Sequence, residues 1–287
     1  MKITKAIIPV AGLGTRFLPV TKSQPKEMLP IVDKPAVQYI VEEAVASGIK
    51  QIFLITSSTK RSIEDYFDYN FELEYRLKKA KKLKALQSIR RLSNLAEFIF
   101  IRQKEPTGNG DAILRAYEFV KNEPCAVMFA DDIIDSRIPC LAQLIKVFEK
   151  YQDSVIAVKR IKKSEMKHFG SVKVVPLEKR VYQIKDIIEK PSPGKAPSNL
   201  GVVGRYIMTP DLLEALLKFK PKKGKEKGIT DGLNAVLKKH PVYACEFEGD
   251  WYTIGSKEGF LQANIIFGLK DKEIKKNLKS FLKKHVY

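Results

Sequence analysis

Cysteine and histidine are scarce in this chain, and so is any long apolar run. Its three cysteines, Cys125, Cys140 and Cys245, are odd in number, far apart and without a CxxC pair, which excludes a disulfide framework and a structural zinc site and suits a reducing compartment. Each reads as a small buried hydrophobe. The three histidines, His168, His240 and His285, are scattered, so neither a Ser/His/Asp nor a Cys/His arrangement can be assembled from the pattern. No apolar stretch approaches membrane-spanning length, and the N-terminal residues MKITK run into a strand-like segment without a signal-type core. The expectation is a soluble, cytoplasmic protein with no membrane partner.

Acidic residues are also few, 33 against 52 lysines and arginines, leaving a net charge of +19. Such an excess suits a polyanionic partner, but much of it sits in RLKKAKKLKALQSIRRL (76–92) and KDKEIKKNLKSFLKKH (270–285). Apolar residues there recur every three or four positions, the pattern of amphipathic helices with a basic outer face. Aromatics are not interleaved among the lysines as a base-stacking platform requires, so no nucleic-acid partner is expected.

The first half alternates apolar, β-branched runs (5–10, 51–56, 97–103, 125–131) with helical patterns (35–47, 63–91 in pieces, 111–120, 139–151). This is the βαβ rhythm of a mostly parallel sheet covered on both faces. Short strands then follow closely at 154–161, 170–175, 180–188, 202–208 and 242–247, and predict a mixed extension of the same sheet. The turn-rich stretches EKPSPGKAPSN (189–199) and KPKKGKEKG (220–228) are short and read as surface loops. The fold class is therefore α/β, a Rossmann-like three-layer sandwich with a mostly parallel central mixed sheet. A single domain over 1–287 carries a helical insertion at about 70–92 and a C-terminal helical segment at about 256–287.

A glycine is missing where it matters most. The segment PVAGLGTRFLPVTKSQPKEMLP (9–30) begins like the G-x-G-x-x-G turn of a dinucleotide fold, but Phe17 stands where the third glycine belongs. Pro19, Pro25 and Pro30 prevent a regular helix from starting at Gly14, and Asp33, at the spacing of a ribose-binding acid, falls in a turn. A P-loop is excluded too, because no Gly-Lys-Ser/Thr follows. What remains is a long irregular loop at the carboxyl end of the first strand, where open α/β sheets bind ligands. Ala11, Gly12, Gly14 and Thr15 offer backbone N–H groups to a phosphate chain, Arg16 adds a multi-donor cation, and Lys26 follows.

The stretch AGLGTRFLPVTKSQPKEMLPIVDKPAVQY (11–39) resembles the signature of the nucleoside-diphosphate-sugar pyrophosphorylases, and among them the bacterial UTP:glucose-1-phosphate uridylyltransferases. The likeness continues in order through FELE (71–74), RQKEPTGNGDA (102–112), FADD (129–132), HFGSV (168–172), EKP (189–191), APSNLGVVGRY (196–206), ITDGL (229–233) and GSKEGFLQA (255–263). It implies that UTP and glucose 1-phosphate give UDP-glucose and pyrophosphate, with Mg²⁺ as cofactor. The attacking sugar-phosphate oxygen is already ionised, so cations and a metal suffice without a general base.

The resemblance also implies roles. Arg16 meets the β/γ-phosphates and Lys26 the α-phosphate and sugar phosphate. Glu27 is a uracil-side or lysine-orienting residue, or else an ion-pair partner of Lys26. Asp131, ending an apolar strand, is the Mg²⁺ ligand, while Asp132 contacts the nucleotide or caps the turn. Gln103 and Gly108 meet the uracil, the glycine by letting the ring approach the backbone. Gly170, Glu189, Lys190 and Asn199 form the sugar-phosphate side.

Two departures stand out. Thr253 occupies the position where these enzymes commonly place a second metal-binding aspartate, and Asp250 lies about 10 Å away along an extended segment. PTGNGDA also lacks the lysine before its first glycine and the histidine at Asp111 that uridylyltransferases more often carry. A thymidylyl- or broader-specificity transferase, or a catalytically weak nucleotide-sensing relative, are the competing readings. Relatives use an insertion like that at 70–92 for subunit pairing, which implies a homodimer or tetramer.

Overall fold

The structure is a computed structural model and describes residues 2–192 and 194–286. Pro193, inside the expected 189–199 loop, and Tyr287, at the end of the expected C-terminal segment, lie outside the described residues.

In chain order the first half holds β1 (Lys5–Pro9), a small ribbon of β2 (Pro30–Ile31) and β3 (Lys34–Pro35), α1 (Ala36–Ala46), β4 (Gln51–Thr56), α2 (Arg61–Phe67), α3 (Phe71–Lys79), α4 (Leu83–Ser93), β5 (Glu97–Arg102), α5 (Asn109–Leu114), α6 (Tyr117–Val120), β6 (Cys125–Met128), β7 (Asp132–Asp135) and α7 (Cys140–Tyr151). The second half adds β8 (Val155–Arg160), β9 (Ser171–Glu178), β10 (Val181–Ile188), β11 (Leu200–Met208), α8 (Pro210–Lys218), α9 (Ile229–Val236), β12 (Tyr243–Glu246), β13 (Asp250–Thr253), α10 (Lys257–Lys270) and α11 (Lys275–Val286).

Nine strands form one sheet in the order β5-β4-β1-β6-β11-β8-β12-β10-β9. β4, β1, β6 and β5 are parallel neighbours, as are β8 and β12. Only β11 and β10 run against the rest. Successive side chains of a strand point to opposite faces, and both faces here are apolar. Ala6 and Ile8 join one core with Ile52, Leu54, Ala126 and Met128, and face α1, α2 and α7. Ile7 joins Phe53, Ile55, Cys125 and Val127 on the other face, under α5, α6, α8 and α9. This two-sided burial is why the parallel strands read as unbroken hydrophobic runs.

Three expectations change in detail. The run 125–131 breaks after Met128, and Asp132 opens β7, which pairs antiparallel with β13. The helix expected at 111–120 is two short pieces, α5 and α6. The 63–91 region resolves into α2, α3 and α4, the last two packed as a hairpin. All three cysteines are buried and unpaired, and burial pushes the Cys125 and Cys245 thiols up to about 12. No helix among the described residues is long and apolar enough to cross a membrane.

Candidate active site

Because β1, β5 and β6 are parallel, the loops that leave their carboxyl ends meet at one edge of the sheet. There they enclose a cavity of about 380 Å³. Its walls include Ala11, Gly12, Gly14 and Thr15 from the first loop, Lys26 and Glu27 farther along it, Gln103 and Gly108 after β5, and Asp131 after β6. The loop at 10–29 holds its shape through single turns rather than a helix. Gly14 sits in the left-handed region (φ 66°), its carbonyl accepts from Thr21 Oγ1 at 2.8 Å, and a Cβ there would lie 3.2 Å from the Thr21 methyl. A Rossmann helix is absent at this point, as the prolines require.

Lys26 and Asp131 meet across the cavity, Nζ to Oδ2 at 3.0 Å. Burial alone would lower the lysine, but the Asp131 and Glu27 carboxylates outweigh it and hold the ammonium above its ordinary value. Burial likewise works to raise Asp131, yet Lys26, its hydrogen bond and the more distant Arg16 hold the carboxyl below the usual range. Both groups are therefore charged at neutral pH. Arg16 stands at the rim, exposed, with Nη1 donating to the Gly255 carbonyl at 3.1 Å. A Cβ on Gly255 would lie 3.4 Å from Asp131 Oδ2 and 3.5 Å from Arg16 Nη1, so this glycine separates the cation from the carboxylate.

Glu27 does not pair with Lys26. Its carboxylate, 2% exposed, takes a 2.8 Å hydrogen bond from Lys60, itself 3% exposed, at the turn after β4. Even so, burial dominates and keeps the Glu27 carboxyl above its ordinary value. Asp132 bonds to neighbouring strands rather than to its own turn. One oxygen accepts from the Gly204 N–H at 3.1 Å and the other from the Trp251 indole at 2.7 Å, and burial beside Asp131 pushes the carboxyl up to about 6. It supports the loop from behind and does not line the cavity.

Gln103, 5% exposed, donates Nε2 to Asp111 Oδ2 at 2.8 Å and to the Gly108 carbonyl at 3.2 Å. Gly108 has a reason for being glycine beyond room for a base. Its φ is 117°, and a Cβ would fall 2.4 Å from the Lys227 carbonyl oxygen. The 220–228 stretch, expected to be a mere surface loop, packs its backbone on the 107–110 turn and places Glu226 in the cavity wall.

The expected sugar side lies outside the cavity wall and is only partly assembled. A Cβ on Gly170 would touch Glu189 Oε2 at 3.3 Å, the same oxygen accepts from Thr230 Oγ1 at 2.8 Å, and Lys190 Nζ lies 3.8 Å from Oε1. The Asn199 amide oxygen instead accepts from Arg160 at 3.4 Å. Buried Tyr206 packs its ring edge-on against Phe129 of the cavity wall, with the centroids 5.8 Å apart. Its phenol is pushed up by burial first, then by Glu189, Asp132 and Asp131.

Thr253 stands opposite Asp132 in the β7–β13 ribbon, and the next N–H, of Ile254, donates to the Asp131 carbonyl at 2.8 Å. Asp250 pairs with Asp135 at the far end of that ribbon. Among the described residues no three His, Cys, Asp or Glu side chains cluster as a metal cage. One ionised carboxylate at the cavity wall still fits Mg²⁺, which takes one or two protein carboxylates and completes its shell with phosphate and water.

Sequence reasoning missed Lys60, Glu226 and Arg205. Arg205 is fully buried, forks onto Glu43, and donates to the carbonyls of Phe129 and Asp132 on either side of Asp131. An arginine inside the apolar run of β11 was the available signal. Lys60 and Glu226 lie in loops with no pattern.

The family model described as nucleotidyl transferase matches residues 5–267. The chain belongs to the nucleotidyl transferase family. It is 45% identical over 281 residues to the UTP–glucose-1-phosphate uridylyltransferase of Bacillus subtilis (strain 168), covering 98% of this chain and 96% of that protein. The Staphylococcus haemolyticus protein of the same name is 45% identical over 282 residues, 98% of each chain. Among solved structures, a UDP-glucose pyrophosphorylase complexed with UDP-glucose superposes with a TM-score of 0.86 at 43% identity, covering 94% of this chain and all of that one. A UTP-bound UGPase from Acinetobacter baumannii gives 0.92 at 36% identity over 99% of this chain and all of that one.

Proposed function

We propose that this chain transfers the uridylyl group of UTP to glucose 1-phosphate, releasing UDP-glucose and pyrophosphate. The observation that carries the reading is the Lys26–Asp131 pair, held across a cavity that joins a glycine loop to the Gln103–Gly108 turn. The names of the relatives agree with it in substrate and product.

An ionised oxygen of glucose 1-phosphate attacks the α-phosphorus of UTP, and the bond to the β-phosphate breaks with its electron pair leaving on pyrophosphate. No proton has to be removed first, which matches a cavity wall without histidine. The N–H groups of residues 11–15 take the triphosphate, Arg16 the β/γ end, and Lys26 the oxygens where charge concentrates. Mg²⁺ at Asp131 would supply further charge neutralisation on the phosphates. The pocket side of Gln103 and Gly108 takes the uracil, and Gly170, Glu189 and Lys190 take the sugar phosphate. Asn199 would have to release Arg160 to join them.

Thr253 favours a second reading, a nucleotide-sensing relative that binds UTP without turnover. Pyrophosphate release from UTP, dTTP, ATP and GTP with glucose 1-phosphate and Mg²⁺ decides between the two. UTP-selective release that Asp131→Ala reduces at least a hundredfold is expected. UTP binding without release would move the chain to the sensing role, and equal use of dTTP to the broader-specificity transferases.

A further inference from the structure

Gln103 is an amide, and an amide can offer a base either its oxygen or its nitrogen. Which one it offers decides what edge it accepts. In this structure the choice is made by Asp111. That carboxylate is held by a fork from Arg115, whose Nη2 lies 2.7 Å from Oδ1 and 2.9 Å from Oδ2, with Nε at 3.2 Å from Oδ2. Oδ2 also accepts from Gln103 Nε2 at 2.8 Å. A carboxylate has no hydrogen to donate, so only the NH₂ end of Gln103 can face it. The second amide hydrogen goes to the Gly108 carbonyl at 3.2 Å. Both donors of the side chain are then used, while its oxygen takes no hydrogen bond from the described residues and is not sealed from the cavity that Gln103 lines.

We propose that Asp111 is a specificity-determining positioning residue, fixing the Gln103 amide with its oxygen toward the nucleotide so that the site accepts a pyrimidine carrying a ring N–H and rejects one carrying a lone pair there. This rests on the uridylyl-transfer reading of the site. Uracil presents N3–H to such an acceptor, whereas cytosine presents a bare N3, and two lone pairs facing each other in a confined site repel. Uracil and thymine look alike to this contact. Asp111 therefore acts on the choice between UTP and CTP and leaves that between UTP and dTTP to other groups.

The test compares kcat/KM for UTP and CTP in pyrophosphate release, for the wild-type chain, Asp111→Ala, Gln103→Ala and the double variant. With Asp111 gone only the longer contact to the Gly108 carbonyl, 3.2 Å, still holds the amide, its orientation loosens, and the UTP/CTP ratio falls at least tenfold, through a higher KM for UTP and a lower one for CTP. Gln103→Ala loses the same discrimination, and the double variant loses no more than Gln103→Ala alone, because Asp111 acts through that amide. A wild-type ratio in Asp111→Ala, or losses that multiply in the double variant, would overturn the proposal. Calorimetric titration of UTP and CTP on the same four proteins repeats the comparison without turnover. Binding selectivity that depends on Asp111 in a chain that releases no pyrophosphate would support the amide lock and overturn the transferase reading alone.

Discussion

A lysine and a glutamate that are both almost out of reach of water can be stable only as partners. Lys60 and Glu27 are such a pair, at 2.8 Å with 3% and 2% exposure. Removing one member of a buried pair costs about 3–5 kcal/mol, far more than the pair contributes over apolar replacements, because the other charge is stranded. Lys60→Met should therefore lose about that much in urea unfolding near pH 8. The pH dependence has a definite sign. Burial already raises the folded Glu27 above its ordinary value, and without Lys60 it rises further, so the folded variant holds a proton that the unfolded chain has released. Stability then increases as pH falls through the interval between the two values, and the gap to wild type should narrow from pH 8 to pH 5. A pH-independent gap would mean that the charge had found water instead. Neither partner's role could be read from the sequence. Glu27 is beside Lys26 in the chain, which suggested the wrong partner, and the true one comes from a turn 33 residues away whose approach is set by packing. That Arg16, Lys26 and Asp131 would come together at one strand-end edge was legible, because all three sit in or beside loops that leave the carboxyl ends of parallel strands, whatever the details of those loops.

At the scale of elements, the two-sided apolar runs announced the parallel half of the sheet, and their loops announced the site. The order of the later strands was not legible: nothing local tells β11 to insert between β6 and β8 in the opposite direction, since strand order is decided by which faces can be buried together. The 220–228 loop was misread for a similar reason. Its composition is that of any exposed lysine-rich loop, yet its backbone locks the 107–110 turn, Gly110 N–H to Lys227 carbonyl at 2.9 Å and Lys227 N–H to Thr107 carbonyl at 3.1 Å. Gly108→Ala tests this coupling. The variant meets both a backbone conformation reserved for glycine and a Cβ 2.4 Å from Lys227 O, so the turn and the loop must part. A loss of about 2–3 kcal/mol in thermal unfolding is expected, with a raised KM for UTP because the Gln103 contact to the same turn moves. Gly48→Ala is the control: its φ is also positive, at 94°, but nothing lies within 4 Å of the added carbon. It should cost only about 1 kcal/mol and leave KM unchanged. Equal effects from the two substitutions would reduce the 220–228 contact to a bystander.

For the whole molecule, the unresolved balance is between charge and exposed apolar surface. A net charge of +19 drives identical chains apart at low ionic strength. The α3–α4 hairpin works the other way. Its inner side is anchored, with Leu86 buried and Glu74, 3% exposed, taking a hydrogen bond from Arg90, while Phe71, Tyr75 and Leu83 stand 70%, 58% and 59% exposed. Large side chains left in water on one hairpin mark an association surface. We therefore expect light scattering to give a mass of two or four chains, and Tyr75→Glu to weaken the assembly. Salt supplies the discriminating measurement. If the contact is apolar, raising salt from 0.1 to 1 M screens the repulsion of like-charged chains and strengthens burial, so the assembly tightens. If the contact is built from the hairpin's charges instead, such as the exposed Glu72–Arg76 pair, the same salt loosens it. A mass of one chain at every salt concentration would remove the hairpin from any role in assembly and leave its exposed aromatics without a partner in this protein.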